Sequence, residues 1–286
     1  PGAEYLYSNT GFTLLAVIVK RVSGQSLKDF AAQRIFTPLG MTHTHFHDDY
    51  TMLVPGRTSA YAPRGNGWRV SIPNYDTYGA TSLFTTVGDL LKWEANFEAP
   101  AVGDRVLLEK MQTPTPLTNG DTSSYGFGLV VARYRGARVV EHNGADAGYR
   151  SYVGRFPEHG LAIAIACNAA SANTTALARG VADAYLGSVL APTAVQADVA
   201  QQSVSVSPAV LDRYAGVYVQ PTTLQVLELT VRNGRLIVGR GDGAPLVPVA
   251  ENRFRGPQGA EFVFANGAGT GFELRPPAGG RSLRFE

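Results

Sequence analysis

Cysteine is nearly absent from this 286-residue chain, Cys167 being the single one. One thiol closes no internal disulfide and builds no cysteine-based zinc site. Its setting, Leu161-Ala-Ile-Ala-Ile-Ala-Cys167, reads as a buried strand, so the residue is expected to be core filler. Long apolar runs are missing too. Leu14–Val19 and Leu161–Cys167 fall far short of the ~18 residues a membrane-spanning helix needs, so no span is expected. Charge is sparse and balanced: charged residues make up 17%, and 25 basic against 23 acidic side chains leave a net +2. Without a basic block, a nucleic-acid or anionic-membrane partner has no electrostatic support.

Several motifs are missing as well. There is no Gly-x-Ser-x-Gly elbow, no Walker A loop and no dinucleotide fingerprint. Nor is there a Ser-x-x-Lys: three residues before Lys20, Lys28, Lys92 and Lys110 stand Val17, Gln25, Asp89 and Leu107. The front, Pro1-Gly2-Ala3-Glu4, carries no initiator Met, basic n-region or signal core, and reads as cut from a longer protein.

What is present is globular. Hydrophobic residues reach 44%, and the length suits one large domain or two smaller ones with a sizeable core. From Gly11 to Val22 nearly every position is apolar, which predicts a helix buried on most sides and stopped by Gly24. Ser26-Leu-Lys-Asp29 resembles a capping box opening a second helix through Ile35. A long irregular stretch covers Gly40 to Ser82, and a third helix opens at Thr86 and runs to about Phe97. Four β-rich runs follow, Tyr125–Tyr134, Ala137–Glu141, Tyr149–Phe156 and Leu161–Asn168. Their short connections imply an antiparallel meander, because parallel crossovers need a dozen or more residues. A helix from Thr174 to Leu190 is placed to cover one face. The expected organisation is therefore an α+β domain over residues 1–190, a linker over 191–207, and an all-β domain over 208–286. Short strands around Asn233-Gly234 suit a small antiparallel barrel in that last part.

Three places could carry chemistry. In Tyr7-Ser8-Asn9, Asn9 could simply cap the following helix; alternatively, Tyr7 and Asn9 project into one cleft, where a tyrosine with a lowered pKa can shuttle a proton. In Glu141-His142-Asn143-Gly144-Ala145, read as a strand end before a tight turn, His142 could be structural. Gly144, however, permits close backbone approach, and the Ala145 N–H could face a developing oxyanion. The run from Thr42 to Asp49 places His43, His45 and His47 in alternation, a chelate pattern that is also ordinary surface composition; no metal site is assigned to it.

The ordered set Pro1-Gly2, Tyr7-Ser8-Asn9-Thr10-Gly11-Phe12, Val22-Ser23-Gly24, Pro38-Leu39-Gly40-Met41, Gly79-Ala80, His142-Asn143-Gly144 and Gly148-Tyr149 resembles the serine β-lactamase and penicillin-binding-protein superfamily. Class C β-lactamases, D-aminopeptidases and related esterases are the nearest kinds. Leu211-Asp-Arg-Tyr214-Ala-Gly216-Val-Tyr218 resembles the start of the lipocalin-like domain appended to some members. The resemblance implies an acyl-enzyme hydrolase acting on a small-molecule or short-peptide acyl substrate, with no cofactor, and a periplasmic or secreted setting. It assigns Tyr7 to proton transfer, Asn9 to the acyl side of the substrate, and His142 to the place of the lysine in Lys-Thr-Gly. Ala145 supplies one oxyanion-hole N–H. Histidine there weakens a fixed positive charge, which favours a peptidase or esterase over a β-lactamase. In such proteins Ser-x-x-Lys precedes the Tyr-x-Asn motif, so its absence is what a truncated chain would have. That chain is expected to be inactive by itself and to self-associate through uncovered surface. The rival reading is a non-catalytic ligand- or peptidoglycan-binding member; a third makes the β-domain the partner-binding part.

Overall fold

The computed structural model describes residues 2–3, 5–73, 76–192, 204–221, 225–239, 244–256, 260–265, 271–275 and 282–286. These fall into two compact units, Pro1–Thr193 and Ala194–Glu286. Most of the expected linker lies outside the described residues.

The first unit opens with α1 (Asn9–Ser23), which stops at Gly24 with φ 73°, the left-handed conformation glycine adopts without strain. The expectation of a helix buried on most sides is corrected: Ala16 is its one buried residue. α2 (Leu27–Ala31) is capped by Ser26, whose hydroxyl accepts from the Asp29 N–H at 3.0 Å, and it continues as a π-helical turn over Ala32–Phe36. The stretch read as irregular holds three short strands, β1 (His45–Phe46), β2 (Tyr61–Arg64) and β3 (Gly67–Val70), and β4 (Leu83–Phe84) follows directly after it; β1 pairs with β4 and β2 with β3. α3 (Val87–Ala95) starts from a Thr86 cap and α4 (Arg105–Met111) from an Asp104 cap.

Behind these helices lies one antiparallel meander, β5 (Val130–Tyr134), β6 (Ala137–Asp146), β7 (Tyr149–Phe156) and β8 (Leu161–Cys167), in that spatial order. Residues 135–136 and 147–148 make its two tightest connections, and Arg135, Gly136 and Ala147 all have positive φ. Strand alternation splits its side chains between two faces. Val139, Tyr152, Phe156 and Ile163 pack with Ala178, Ala182 and Leu186 of α5 (Thr174–Leu186). On the other face Arg155 meets Glu94 of α3 at 2.7 Å. His142 belongs to this second face. Cys167 ends β8 half-buried, short of the fully buried place expected for it.

The second unit begins with a helix the sequence reading did not include, α6 (Pro208–Tyr214). Two antiparallel sheets follow. One comprises β9 (Gly216–Val219), β10 (Val226–Arg232), β11 (Arg235–Val238) and β12 (Ala244–Pro245). The other comprises β13 (Val247–Ala250), β14 (Arg253–Arg255), β15 (Glu261–Phe264), β16 (Phe272–Arg275) and β17 (Leu283–Phe285). Asn233 and Gly234, with φ 49° and 70°, form the tight β10–β11 turn that the sequence signalled. Among the described residues the strand ladders do not close into one barrel. The sheets touch at their edges, where Val219 and Glu286 exchange backbone hydrogen bonds of 2.8 and 3.0 Å. Tyr214, Tyr218, Phe254, Phe262, Phe264, Phe272 and Phe285 fill the core between them.

Candidate active site

Ser8, in extended conformation, caps α1 by accepting the Gly11 N–H at 3.0 Å. The capping reading of Asn9 is thereby corrected. Asn9 is the first helical residue and is exposed, with its amide left outside the cap. Two residues earlier, Tyr7 is exposed.

Tyr7 and His142 stand 135 positions apart in the sequence, yet their ring centroids are 6.0 Å apart. A third ring joins them. Tyr125 lies 6.3 Å from Tyr7 and 5.8 Å from His142, and its hydroxyl is 2.8 Å from His142 Nε2. Tyr5 packs on Tyr125 at 5.0 Å. Burial first, and then the neighbouring Tyr5 and Tyr7, push the Tyr125 hydroxyl up to about 12, so Tyr125 stays a donor at neutral pH. Sequence reading placed Tyr125 in a strand and missed it as a site residue. The available signal was Gly126 and Gly128: Gly128 has φ 74°, and a Cβ at Gly126 would collide with the Met111 carbonyl. The segment must pass close to α4, which sets Tyr125 beside the sheet.

The strand expected to end at Glu141 runs further. β6 continues through Asp146, because β7 pairs with it the whole way, His142 opposite Val153 and Ala145 opposite Arg150. The turn itself is Ala147-Gly148. Gly148 is required there, since a Cβ would fall 2.6 Å from the Tyr61 backbone nitrogen. Gly144 leaves room for the Ser151 hydroxyl across the ladder.

The direction of the Ala145 N–H follows from the register. The Val131 N–H donates to the Ser124 carbonyl, away from β6, so Val131 and Val140 form a non-hydrogen-bonded pair and Glu141 directs its polar groups toward β5. By alternation Asn143 and Ala145 do the same. β5 begins at Val130, opposite Glu141, so its ladder offers Asn143 and Ala145 no partner among the described residues. Both are exposed. The result is a short open strand edge beside the Tyr7–Tyr125–His142 group, with one N–H able to face a ligand oxygen. On the opposite face Glu141 accepts from Tyr152 Oη and pairs with Arg179, both at 2.6 Å, which fastens β6 next to His142.

The three-histidine run does not converge. His45 Nε2 and His47 Nδ1 are 3.3 Å apart, whereas the His43 ring meets the Thr42 hydroxyl. Among the described residues no group of three metal-binding side chains forms. A separate cleft of about 340 Å3, lined by Tyr61, Trp68, Asn168 and Ala169, shares no residue with the site above.

The beta-lactamase family profile matches residues 1–188. Over 176 residues the chain is 31% identical to penicillin-binding protein 4* of Bacillus subtilis (strain 168), covering 56% of this chain and 38% of that protein. Over 150 residues it is 29% identical to a D-aminopeptidase of Brucella ovis, covering 52% of this chain and 29% of that protein. The matched part is thus well under half the length of these curated relatives. Two solved structures share the fold. The octameric penicillin-binding protein homologue from Pyrococcus abyssi aligns with TM-score 0.61 at 23% identity, covering 100% of this chain and 66% of that one. A D-stereospecific amidohydrolase from Streptomyces aligns with TM-score 0.53 at 21% identity, covering 65% of this chain and 56% of that one.

Proposed function

Because the chain belongs to the beta-lactamase family, we propose that residues 1–190 are the C-terminal portion of a serine hydrolase domain that works through an acyl-enzyme. A peptide, amide or ester bond is the favoured target, and a β-lactam is the alternative acyl donor. The observation that carries this reading is the 6.0 Å approach of the Tyr7 and His142 rings beside the open Asn143–Ala145 edge. In it Tyr7 transfers the proton, first from the nucleophile and then to the leaving group. Asn9 holds the acyl side, Gly144 keeps the strand low, and Ala145 donates to the oxyanion. His142 occupies the place of the family's lysine. The D-aminopeptidase and the D-stereospecific amidohydrolase among the similar proteins support amide hydrolysis as the reaction class. The two sheets of residues 208–286 are read as a lipocalin-like domain. The octameric state of the Pyrococcus homologue supports self-association as a further property.

With no Ser-x-x-Lys in the chain, covalent chemistry has no nucleophile here. Residues 1–286 are therefore expected to stay unlabelled by a fluorescent penicillin and by a fluorophosphonate. A D-amino-acid amide is expected to shift the NMR signals of Tyr7, His142 and the Ala145 amide. Stoichiometric labelling would overturn the expected inactivity of residues 1–286, and shifts confined to other parts of the chain would sink the site assignment.

A further inference from the structure

Both nitrogens of His142 are engaged, and each contact fixes a proton. Nδ1 lies 2.6 Å from the Asn143 carbonyl oxygen, which only accepts, so Nδ1 carries the hydrogen. In the neutral ring Nε2 is then a lone pair. The group that meets it at 2.8 Å is the Tyr125 hydroxyl, which must donate. That leaves no imidazole N–H for a ligand. What the pair offers instead is the remaining acceptor capacity of the Tyr125 oxygen.

We infer that Tyr125 is a positioning and specificity residue: it donates to Nε2 of the Nδ1–H tautomer that the Asn143 carbonyl fixes, holds the ring in place, and makes this side of the site an acceptor of N–H groups. The consequence for substrate class rests on the acyl-site reading above. A free carboxylate at this position needs a donor and finds none on neutral His142, whereas an amide N–H finds the Tyr125 oxygen. The favoured acyl donor therefore carries an amide here. The carboxylate that a lysine would attract is disfavoured.

The tautomer can be read without any ligand. Long-range proton–nitrogen NMR spectra of the 15N-histidine-labelled chain, recorded above the imidazole titration, are expected to show His142 Nε2 at a pyridine-like shift and Nδ1 at a pyrrole-like one. In Tyr125→Phe, which keeps the ring packing and the Asn143 contact, Nδ1 should stay protonated while Nε2, losing its hydrogen-bond donor, moves further from the pyrrole-like value. A wild-type Nε2–H tautomer, or an Nε2 signal unchanged in Tyr125→Phe, overturns the positioning role. For specificity the probes are N-acetyl-D-alanine amide and N-acetyl-D-alanine. The amide should bind several-fold more tightly, and the preference should shrink in Tyr125→Phe. Tighter binding of the carboxylate overturns the specificity role. Binding of neither defeats that role together with the acyl-site reading, while the tautomer result is decided separately.

Discussion

Arg155 and Glu94 form an ion pair at 2.7 Å with side chains only 4% and 1% exposed. Burial pushes the Glu94 carboxyl up and the Arg155 guanidinium down, and in each case the partner opposes the shift without reversing it. Desolvation therefore outweighs attraction, the usual balance for a buried pair. The Arg155 guanidinium also lies 3.5 Å over the Phe97 ring, and its Nη2 lacks a hydrogen-bond partner among the described residues. Arg155→Met would strand a buried carboxylate and is expected to cost roughly 3–5 kcal/mol in urea unfolding. The double change Arg155→Met with Glu94→Leu should cost clearly less than the single one, because no uncompensated charge remains. A double variant as damaged as the single would show that the pair contributes more than it costs. At this scale the sequence was a mixed guide. Tyr7 and His142 could be picked out by motif, and the structure brings them together. Tyr125 could not, because only the fold reveals that its hydroxyl reaches His142. Asn9 was ambiguous between cap and site until Ser8 proved to hold the cap.

Elements with strong local signals were legible and those held by tertiary contacts were not. β7 has the ends the sequence indicated, since turn residues bound its run. β2 and β3 escaped notice because their side chains are mostly exposed on both faces, which leaves no alternation to read. α4 and α6 have seven residues each, too short for a clear helical period. The β1–β4 ribbon, which begins in the same stretch, carries a pH dependence. His47 is buried, stacks on Phe84 at 4.3 Å, and leaves Nε2 without a hydrogen-bond partner among the described residues. Burial first, and then Arg57, lowers its pKa; burial first, and then His47 and Lys28, lowers that of His45. Asp48 and Asp49 oppose the effect at His47 without overcoming it. With folded-state values below the unfolded ~6.5, the unfolded chain binds protons first as pH falls. The stability contributed by the neutral rings is therefore complete above about pH 6.5 and declines as pH drops toward the lowered values, by at most about 1.4 kcal/mol per proton and pH unit. Urea midpoints between pH 8 and 5 should show this decline, and His47→Phe, which keeps the stack on Phe84, should flatten it. Identical pH profiles for the two proteins would remove His47 as the cause.

At the scale of the whole molecule, the two units differ in how completely they bury their apolar residues. In the second, the aromatic side chains of β14 to β17 are buried against α6 and β9 to β11, and its exposed large hydrophobics among the described residues are Val204, Val217 and Val226. In the first, Leu14, Leu15, Ile18 and Val22 of α1 are all at least half exposed and fall on one stripe of the helix. Such a patch covers roughly 300–600 Å2, and burying it at about 25 cal/mol per Å2 is worth roughly 8–15 kcal/mol. Association itself costs an estimated 4–15 kcal/mol, so the two terms nearly balance. The balance points to contacts between copies that form and break with concentration, neither a permanent oligomer nor a strict monomer. Residues 1–286 should show an apparent mass that rises with concentration in size-exclusion chromatography with light scattering. Leu14→Lys with Ile18→Lys should lower that mass toward the 30.5 kDa of one chain without loss of helical signal, because both side chains already face solvent. A chain of residues 204–286, which lacks α1, should stay monomeric over the same range. A mass of one chain at every concentration, or association that the two lysines leave untouched, would show that α1 is not the contact.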